Sequence, residues 1–282
     1  MHLYISDLDG TLLTPDAIIT PYSRQTISRL IENGLRFSVA TARTLATVRQ
    51  ILQGLALNVP VVLMNGACLF DLQQDRYVRT EEINGPAKTI LFDLLRQHDM
   101  AGFVYTVDEN QLHTWYERID TPAARYYVDE RVNRYGKVFT CVKEFQHDLA
   151  NRSVVYYSIT DRTEKLADLH QALLQSGQLN VAFYHDVYQP GNSYLEVSAL
   201  SASKYHALQT LRTMYAFDKI TSFGDNYNDL PMFQASDQCL AVANALPEVK
   251  TAADEVIGSH TNDGVARWLH ARMALSQKET RL

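Results

Sequence analysis

Cysteine is scarce in this chain, which has 282 residues but only three cysteines. Cys68, Cys141 and Cys239 are scattered, without the close spacing of metal ligands or redox pairs. An odd and sparse set predicts reduced thiols rather than a disulfide framework, as is usual in the cytoplasm. The fold must therefore depend on a hydrophobic core, which a chain of this length is long enough to bury.

Long apolar runs and an excess of positive charge are also missing. No run approaches the ~20 residues that a membrane span needs. Lysine and arginine number 26 against 32 acidic residues, a net charge of −6, so no overall positive field attracts nucleic acid or anionic lipid. Asp7 and Asp9 interrupt the N-terminal region before a signal peptide could form. We expect a cytoplasmic protein that binds neither nucleic acid nor membrane.

Strand-like and helix-like segments alternate at both ends of the chain. Apolar runs at 3–5, 35–41 and 61–64 are separated by segments with helical spacing, and the alternation returns after Ser203. This order predicts a parallel sheet with crossover helices. We expect one Rossmann-like α/β core that is assembled from the two ends of the chain.

The middle of the chain has a different pattern. Strands are predicted over 103–107, 112–116, 154–160 and 181–188, mixed with helices. A hairpin among helices indicates an α+β module that is inserted into the α/β core. We place the core domain at 1–81 and 189–282 and the inserted domain at 82–188.

Two carboxylates follow the first predicted strand, in the segment DLDGTLL that begins at Asp7. Groups just past the carboxyl ends of parallel strands line the ligand crevice of such a sheet. Asp7 and Asp9 repel each other, so the pair needs a cation or a shared proton. A divalent ion and a nucleophilic carboxylate beside a proton donor would explain both acids. A plain turn is an alternative; a calcium loop fits poorly, because Ile18 occupies its twelfth position.

A second acidic segment, GDNYND, follows the strand predicted at 220–223. Gly224 allows a tight turn, so that Asp225 can face the crevice while Asn228 and Asp229 lie at the start of the next helix. Asp and Asn are common turn residues, so the segment alone is only moderately specific. Together with the first segment, it supplies a third acidic oxygen ligand.

Possible anion donors follow the second strand and begin a later helix. The end of the second strand, around Thr41, offers a hydroxyl and an exposed N–H, although Thr41 could instead cap a helix. Lys204 follows Ser203 at a helix start, where the dipole disfavours a cation by ~0.3–1 kcal/mol. A bound anion would explain this lysine, and a solvated surface side chain is the alternative.

These four segments resemble the haloacid dehalogenase (HAD) superfamily of phosphatases, specifically its Cof-type branch with an α+β (C2-type) cap. The family motifs correspond to 7–13, Thr41, Lys204 and 224–229, in the expected order over nearly the whole chain. Ala42 stands where the family usually has glycine. The resemblance implies a parallel-sheet HAD core with an inserted α+β cap domain.

The resemblance also implies an activity: Mg²⁺-dependent hydrolysis of phosphate monoesters of small metabolites through an aspartyl-phosphate. The substrate would be a sugar phosphate or a phosphorylated cofactor such as FMN or pyridoxal phosphate. The alternatives are a phosphomutase or phosphotransferase on the same scaffold and a non-catalytic sugar-phosphate sensor.

The resemblance assigns roles to individual residues. Asp7 would be the nucleophile and Asp9 the acid and base. Mg²⁺ would be bound by Asp7, the backbone carbonyl of Asp9 and Asp225, with Asp229 orienting a metal-bound water. The phosphoryl oxygens would be held by Leu8, Thr41, Ala42, Lys204 and Asn228. Arg43, next to the phosphate loop, is a candidate substrate contact.

Overall fold

A computed structural model describes residues 1–185 and 191–279. The chain divides into two compact units. The first unit combines the two ends of the chain, Met1–Val78 and Ser203–Leu282, and the second is Arg79–Ala202. No helix within the described ranges combines the length and the hydrophobicity that a bilayer span requires.

Helices and strands alternate along the chain. The N-terminal part contains β1 His2–Ser6, α1 Pro21–Glu32, β2 Arg36–Val39, α2 Leu45–Ile51, β3 Val61–Leu63, β4 Cys68–Asp71 and β5 Arg76–Thr80. The middle contains α3 Gly85–Gln97, β6 Phe103–Asp108, β7 Gln111–Tyr116, α4 Pro122–Tyr135, β8 Thr140–Cys141, α5 Phe145–Asp148, β9 Val154–Arg162, α6 Thr163–Ser176, β10 Leu179–His185 and β11 Asn192–Ala199. The C-terminal part contains α7 Lys204–Tyr215, β12 Lys219–Gly224, α8 Leu230–Gln234, β13 Gln238–Val242, α9 Pro247–Ala252, β14 Glu255–Ile257 and α10 Gly264–Glu279.

The first unit is built on a parallel sheet with the strand order β14-β13-β12-β1-β2. The interior strand β1 is buried on both faces, because Leu3 and Ile5 on one face and Tyr4 on the other are all buried, as in a sheet with helices on both sides. Ser6 is in register with Phe223 of β12 and with Val39 of β2. The three strands therefore end at one edge of the sheet. The predicted α/β core is confirmed.

The third predicted strand forms a different sheet from the one expected. β3 pairs antiparallel with β4, and β5 completes this small sheet. A single parallel bridge, between Ala40 and Val62, connects β3 to the main sheet. The physical cause is the turn after β3, where Met64 and Asn65 both adopt positive φ and send the chain back beside β3.

The second unit is a mixed α+β structure, as expected. Its sheet has the order β10-β11-β9-β6-β7-β8 and is antiparallel except for the β7–β8 pair. The predicted hairpin between β6 and β7 is present, and its two turn residues, Glu109 and Asn110, have positive φ, as a tight hairpin turn requires. The sequence did not predict α4, because the helix has no buried side chain and no apolar stripe.

The borders of the two units differ from the predicted domain borders. The second unit begins at Arg79, three residues before the predicted change at 81–82. The other predicted border, at 188–189, and the end of the strand predicted at 181–188 lie outside the described residues. The second unit continues to Ala202 because β11 pairs along its length with β9 and β10.

Gly66 allows the turn after β3 to approach the start of α7. A Cβ atom at Gly66 would overlap the backbone of Ser203, and φ at Gly66 is +106°. Gly34 has a similar φ of +93° but has no atom within 4 Å of the Cβ position. We expect Gly66→Ala to reduce the free energy of unfolding by ~1–3 kcal/mol more than Gly34→Ala does, because backbone overlap adds to a similar φ strain. Urea unfolding of the two variants measures the difference, and equal losses would contradict this contact.

Candidate active site

Three carboxylates meet at the edge where β1 and β12 end. Asp7 follows β1 directly, Asp225 follows β12, and Asp229 lies in the turn after it. One carboxylate oxygen of each lies within 4.8 Å of the others. The Asp7 N–H donates to the carbonyl of Phe223 at 2.9 Å, which fixes the end of β1 against β12. The predicted convergence of the two acidic segments is therefore observed.

Two glycines allow the acidic segments to come this close. Gly10 has φ of +76°, and a Cβ there would overlap the Asp225 carboxylate. A Cβ at Gly224 would lie 2.6 Å from the Cβ of Asp229. Both motifs therefore need glycine because a neighbouring acid occupies the space that a side chain would take.

Asp229 is completely buried, and both of its oxygens are hydrogen-bonded. Oδ2 accepts the backbone N–H groups of Asp225 at 2.9 Å and Asn226 at 3.1 Å. Oδ1 accepts from Lys204 Nζ at 2.7 Å. Asp229 thus holds the turn that carries Asp225, and it connects this turn to the lysine.

Lys204 is the first residue of α7, as predicted, and the Ser203 hydroxyl caps the helix by accepting the His206 N–H at 3.1 Å. The lysine is only 1% exposed, which excludes the solvated surface alternative. Its Nζ donates to Asp7 Oδ1 and Asp229 Oδ1, both at 2.7 Å. In this structure, two buried carboxylates are the anions that explain a cation at a helix N-terminus.

The cluster carries more negative than positive charge. Burial raises the pKa of Asp7 well above its usual range; the charge of Lys204 opposes this rise, and repulsion by Asp229 and Asp225 adds to it. Burial, followed by repulsion from Asp229, raises the pKa of Asp225 to about 7. Burial acts to lower the pKa of Lys204, but the carboxylates of Asp229 and Asp7 raise it above its usual value, so the lysine stays charged.

The oxygen atoms of the cluster fit a hard divalent cation. Thr11 Oγ1 donates to Asp225 Oδ1 at 2.7 Å, and Lys204 Nζ donates to Asp7 Oδ1. Within the described residues, Asp7 Oδ2 and Asp225 Oδ2 accept no hydrogen bond, so each has an oxygen for a metal ion. Carboxylate oxygens are the ligands that Mg²⁺ prefers. The third carboxylate of the compact set is that of Asp229, whereas the side chain of Asp9 lies outside it.

Asp9 forms an ion pair with Arg43. Arg43 Nε donates to Asp9 Oδ2 at 2.7 Å, and Nη2 donates to Asp9 Oδ1 at 2.6 Å. The Asp9 side chain is 48% exposed and that of Arg43 is 19% exposed. The structure therefore brings the predicted acid and the predicted substrate contact together as partners of each other.

The predicted phosphate-binding residues lie around this edge. The Thr41 N–H already donates to the carbonyl of Val62 at 3.0 Å, which leaves the Thr41 hydroxyl and the Ala42 N–H as the candidate donors of this loop. Thr41 Oγ1 accepts the Arg43 N–H at 3.2 Å, and Thr41 caps no helix, since α2 begins only at Leu45. Within the described ranges, the Ala42 N–H has no acceptor.

Asn228 and Leu8 lie in the two acidic segments. Asn228 Nδ2 donates to Asn65 Oδ1 at 3.2 Å, and Asn65 in turn donates its N–H to the carbonyl of Thr41 at 3.0 Å. The Leu8 side chain is completely buried, so only its backbone can contribute to the site. These bonds connect three loops that follow different strands.

Three supporting residues received no role from the sequence. Thr11 donates to Asp225, Asn65 accepts from Asn228, and Asn244 Nδ2 donates to the carbonyl of Gly10 at 2.7 Å. Thr11 belongs to the DGT triplet of the first acidic segment, so the motif itself indicated that this residue could have a role in the site. Asn65 and Asn244 act through contacts between distant loops, which spacing along the chain does not reveal.

Comparison with known proteins identifies the class. The model of the haloacid dehalogenase-like hydrolase family matches residues 4–269. The chain belongs to this family, which confirms the resemblance of its motifs.

Similar proteins of this family are named as phosphatases. Pyridoxal phosphate phosphatase YbhA of Escherichia coli is 25% identical and aligns with 95% of this chain and 97% of its own length. The 5-amino-6-(5-phospho-D-ribitylamino)uracil phosphatase YwtE of Bacillus subtilis is 25% identical, over 93% and 95% respectively. A haloacid dehalogenase-like hydrolase from Bacteroides thetaiotaomicron has the same fold, with a TM-score of 0.77 and 22% identity, over 96% of this chain and 98% of its own.

The substitution Asp225→Asn tests two effects of the Asp225 charge, namely its cost to folding stability and its part in binding a metal ion. The folded-state pKa of about 7 lies above the usual 3.8, so the stability linked to this group is lost as the pH rises through 7. At pH 8 without metal, we expect the variant to melt ~2–4 °C above the wild type, because a repulsive charge is removed. The difference in melting temperature between the variant and the wild type should be smaller at pH 5. Added Mg²⁺ should raise the melting temperature of the wild type only. Thermal melts with EDTA and with Mg²⁺ measure both effects, and a less stable metal-free variant at pH 8 would contradict the account.

Proposed function

We propose that this hydrolase is a Mg²⁺-dependent phosphatase that cleaves phosphate monoesters of small metabolites through an aspartyl-phosphate on Asp7. The observation that carries the proposal is the buried cluster of Asp7, Asp225, Asp229 and Lys204 at the edge where β1 and β12 end. A structural role alone does not explain three acids with one lysine in a buried position. A site that receives a cation and a phosphoryl group does.

The first step is attack on phosphorus. An Asp7 carboxylate oxygen forms a bond to phosphorus as the bond from phosphorus to the ester oxygen breaks. Asp9 donates a proton to the departing oxygen, which leaves as an alcohol. Lys204, bonded to Asp7 Oδ1, orients this carboxylate.

The second step returns the enzyme to its starting state. Asp9, now ionised, accepts a proton from water as the water oxygen forms a bond to phosphorus. The bond from phosphorus to the Asp7 oxygen breaks, and inorganic phosphate leaves. One group thus acts first as acid and then as base.

Both steps require neutralisation of negative charge, because a carboxylate attacks a phosphate dianion. Asp7, Asp225 and the Asp9 carbonyl would hold Mg²⁺, which supplies positive charge against the phosphoryl oxygens when bound. Asp229 would act indirectly, by orienting a metal-bound water. Its two oxygens already accept hydrogen bonds from Lys204 and from the backbone of the turn at 225–226.

Further donors to the phosphoryl group come from the loops around this edge. We assign this role to the Thr41 hydroxyl, the Ala42 N–H, the backbone of Leu8, Lys204 and Asn228. The Ala42 N–H, which has no acceptor within the described ranges, and the Asn228 amide fit this assignment without breaking a backbone hydrogen bond. Lys204 would share its charge among Asp7, Asp229 and the substrate.

The names of the similar proteins support a phosphorylated metabolite as the substrate. YbhA is named for pyridoxal phosphate and YwtE for a phosphoribitylamino-uracil. Both ligands join a phosphate to a nitrogen heterocycle, and we propose the same class here beside sugar phosphates. A panel of pyridoxal phosphate, FMN and hexose phosphates, read by phosphate release, would identify the preferred substrate.

Asp7→Asn should abolish phosphate release and leave the fold intact. The amide cannot attack phosphorus, yet its shape matches the carboxylate. We expect at least a 10³-fold loss, on the order of what the loss of a nucleophile costs. Asp75→Asn is the matched control, because Asp75 is exposed and lies at a positive φ that asparagine tolerates. Retained turnover in Asp7→Asn would contradict the proposal.

Metal removal gives an independent test. We expect EDTA to abolish phosphate release and Mg²⁺ to restore it, because the acid cluster repels a phosphate dianion when no cation is bound. Turnover that continues at its full rate after exhaustive chelation would rule out metal dependence while leaving the role of Asp7 open to the previous test.

A further inference from the structure

The pair formed by Asp9 and Arg43 has a geometry that the proposed steps do not yet use. Both guanidinium nitrogens on one side of Arg43 contact both oxygens of Asp9, at 2.7 and 2.6 Å. Such a two-pronged contact fixes the plane of a carboxylate as well as its position. A single lysine contact would fix only a distance.

The backbones on both sides of this pair are fixed. The Arg43 carbonyl accepts the Met64 N–H at 3.2 Å, and the Arg43 N–H donates to Thr41 Oγ1 at 3.2 Å. On the other side, Asn244 holds the carbonyl of Gly10, the residue that follows Asp9. The guanidinium therefore extends from a fixed loop to a carboxylate on another fixed loop.

Asp9 needs such support because its side chain accepts no hydrogen bond other than those from Arg43 in the part of the chain that the structure describes. Its side chain is 48% exposed, whereas Asp7 and Asp229 are buried and held by Lys204. A solvated carboxylate on a short side chain samples several rotamers, and a displacement of about 1 Å can cost ~10²-fold in rate.

We infer that Arg43 is a positioning residue, which orients the Asp9 carboxylate for proton transfer to and from the leaving oxygen. The inference rests on the proposed function, because it requires Asp9 to be the acid. It differs from the role of substrate contact that the sequence assigned to Arg43, since Nε and Nη2 are engaged by Asp9.

The two roles of Arg43 predict different dependence on the leaving group. A residue that acts through Asp9 matters most when the departing oxygen needs a proton. A residue that binds the phosphoryl group affects all monoesters equally. Phenyl phosphate and p-nitrophenyl phosphate are a matched pair, because they have nearly the same shape. The phenol oxygen has a pKa of about 10, like that of tyrosine, and the nitro group lowers it so that the anion leaves unaided.

The experiment compares kcat for the two esters in wild type, Arg43→Ala, Arg43→Lys, Asp9→Asn and the double variant Arg43→Ala/Asp9→Asn. We expect Arg43→Ala to lose ~10-fold or more on phenyl phosphate beyond its loss on p-nitrophenyl phosphate, within the range of general acid catalysis. Arg43→Lys should lie between it and the wild type. Arg43→Ala should cost less than twofold in the Asp9→Asn background, and inhibition by inorganic phosphate should stay unchanged.

Arg49→Ala is the control for the loss of an arginine–carboxylate pair. Arg49 pairs with Asp75 in the same unit, and both side chains are substantially exposed. This variant should hydrolyse both esters at the wild-type rate. Melting curves with Mg²⁺ check that each variant is folded.

Equal losses on the two esters, additive losses in the double variant, or weaker inhibition by phosphate would overturn the inference and make Arg43 a substrate-binding residue. Those results would not contradict the proposed function, because Asp7→Asn tests it separately. A wild-type enzyme that hydrolyses neither these esters nor the metabolite panel would overturn the proposed function and this inference with it.

Discussion

The site depends on one ammonium group that separates two buried carboxylates. Lys204 lies between Asp7 and Asp229, which come from strand ends that are distant in sequence but adjacent in the sheet. Without this charge, the two acids and Asp225 would repel one another in a region that excludes most water. The lysine is held there because α7 begins at Lys204 and Gly66 allows the turn after β3 to pack on its first residues. A helix start, a turn and two strand ends thus converge on a single nitrogen atom.

The lysine does not neutralise the whole cluster, and this remaining imbalance links stability to function. Burial and repulsion hold the pKa values of Asp7 and Asp225 above their usual range, which costs folding free energy at neutral pH. The apolar core around β1 and β12, in which Ile5 and Phe223 are fully buried, offsets that cost. Active sites often retain such strain because the same repulsion favours binding of a cation.

Much of this arrangement could be predicted from the sequence. The alternation of strand-like and helix-like segments predicted the parallel sheet, and the acidic segments after two of the strands predicted the edge where Asp7 and Asp225 meet, because parallel strands end on one side. The pairing of β3 could not be predicted in the same way, since it depends on two non-glycine residues with positive φ. Nor could periodicity reveal α4, whose helical turns bury no side chain. Contacts made by Asn65, Asn244 and the pair of Asp9 with Arg43 arise between loops, where spacing along the chain carries no information.

The most direct test asks whether phosphorus becomes bonded to Asp7. The enzyme would be mixed with substrate and Mg²⁺, quenched in acid within the first turnover and reduced with borohydride, which converts an acyl phosphate into an alcohol. Peptide mass spectrometry would then locate the modified side chain. We predict conversion at residue 7 and at no other aspartate, and only when substrate is present. Phosphate release at the full rate with residue 7 unmodified would contradict the account.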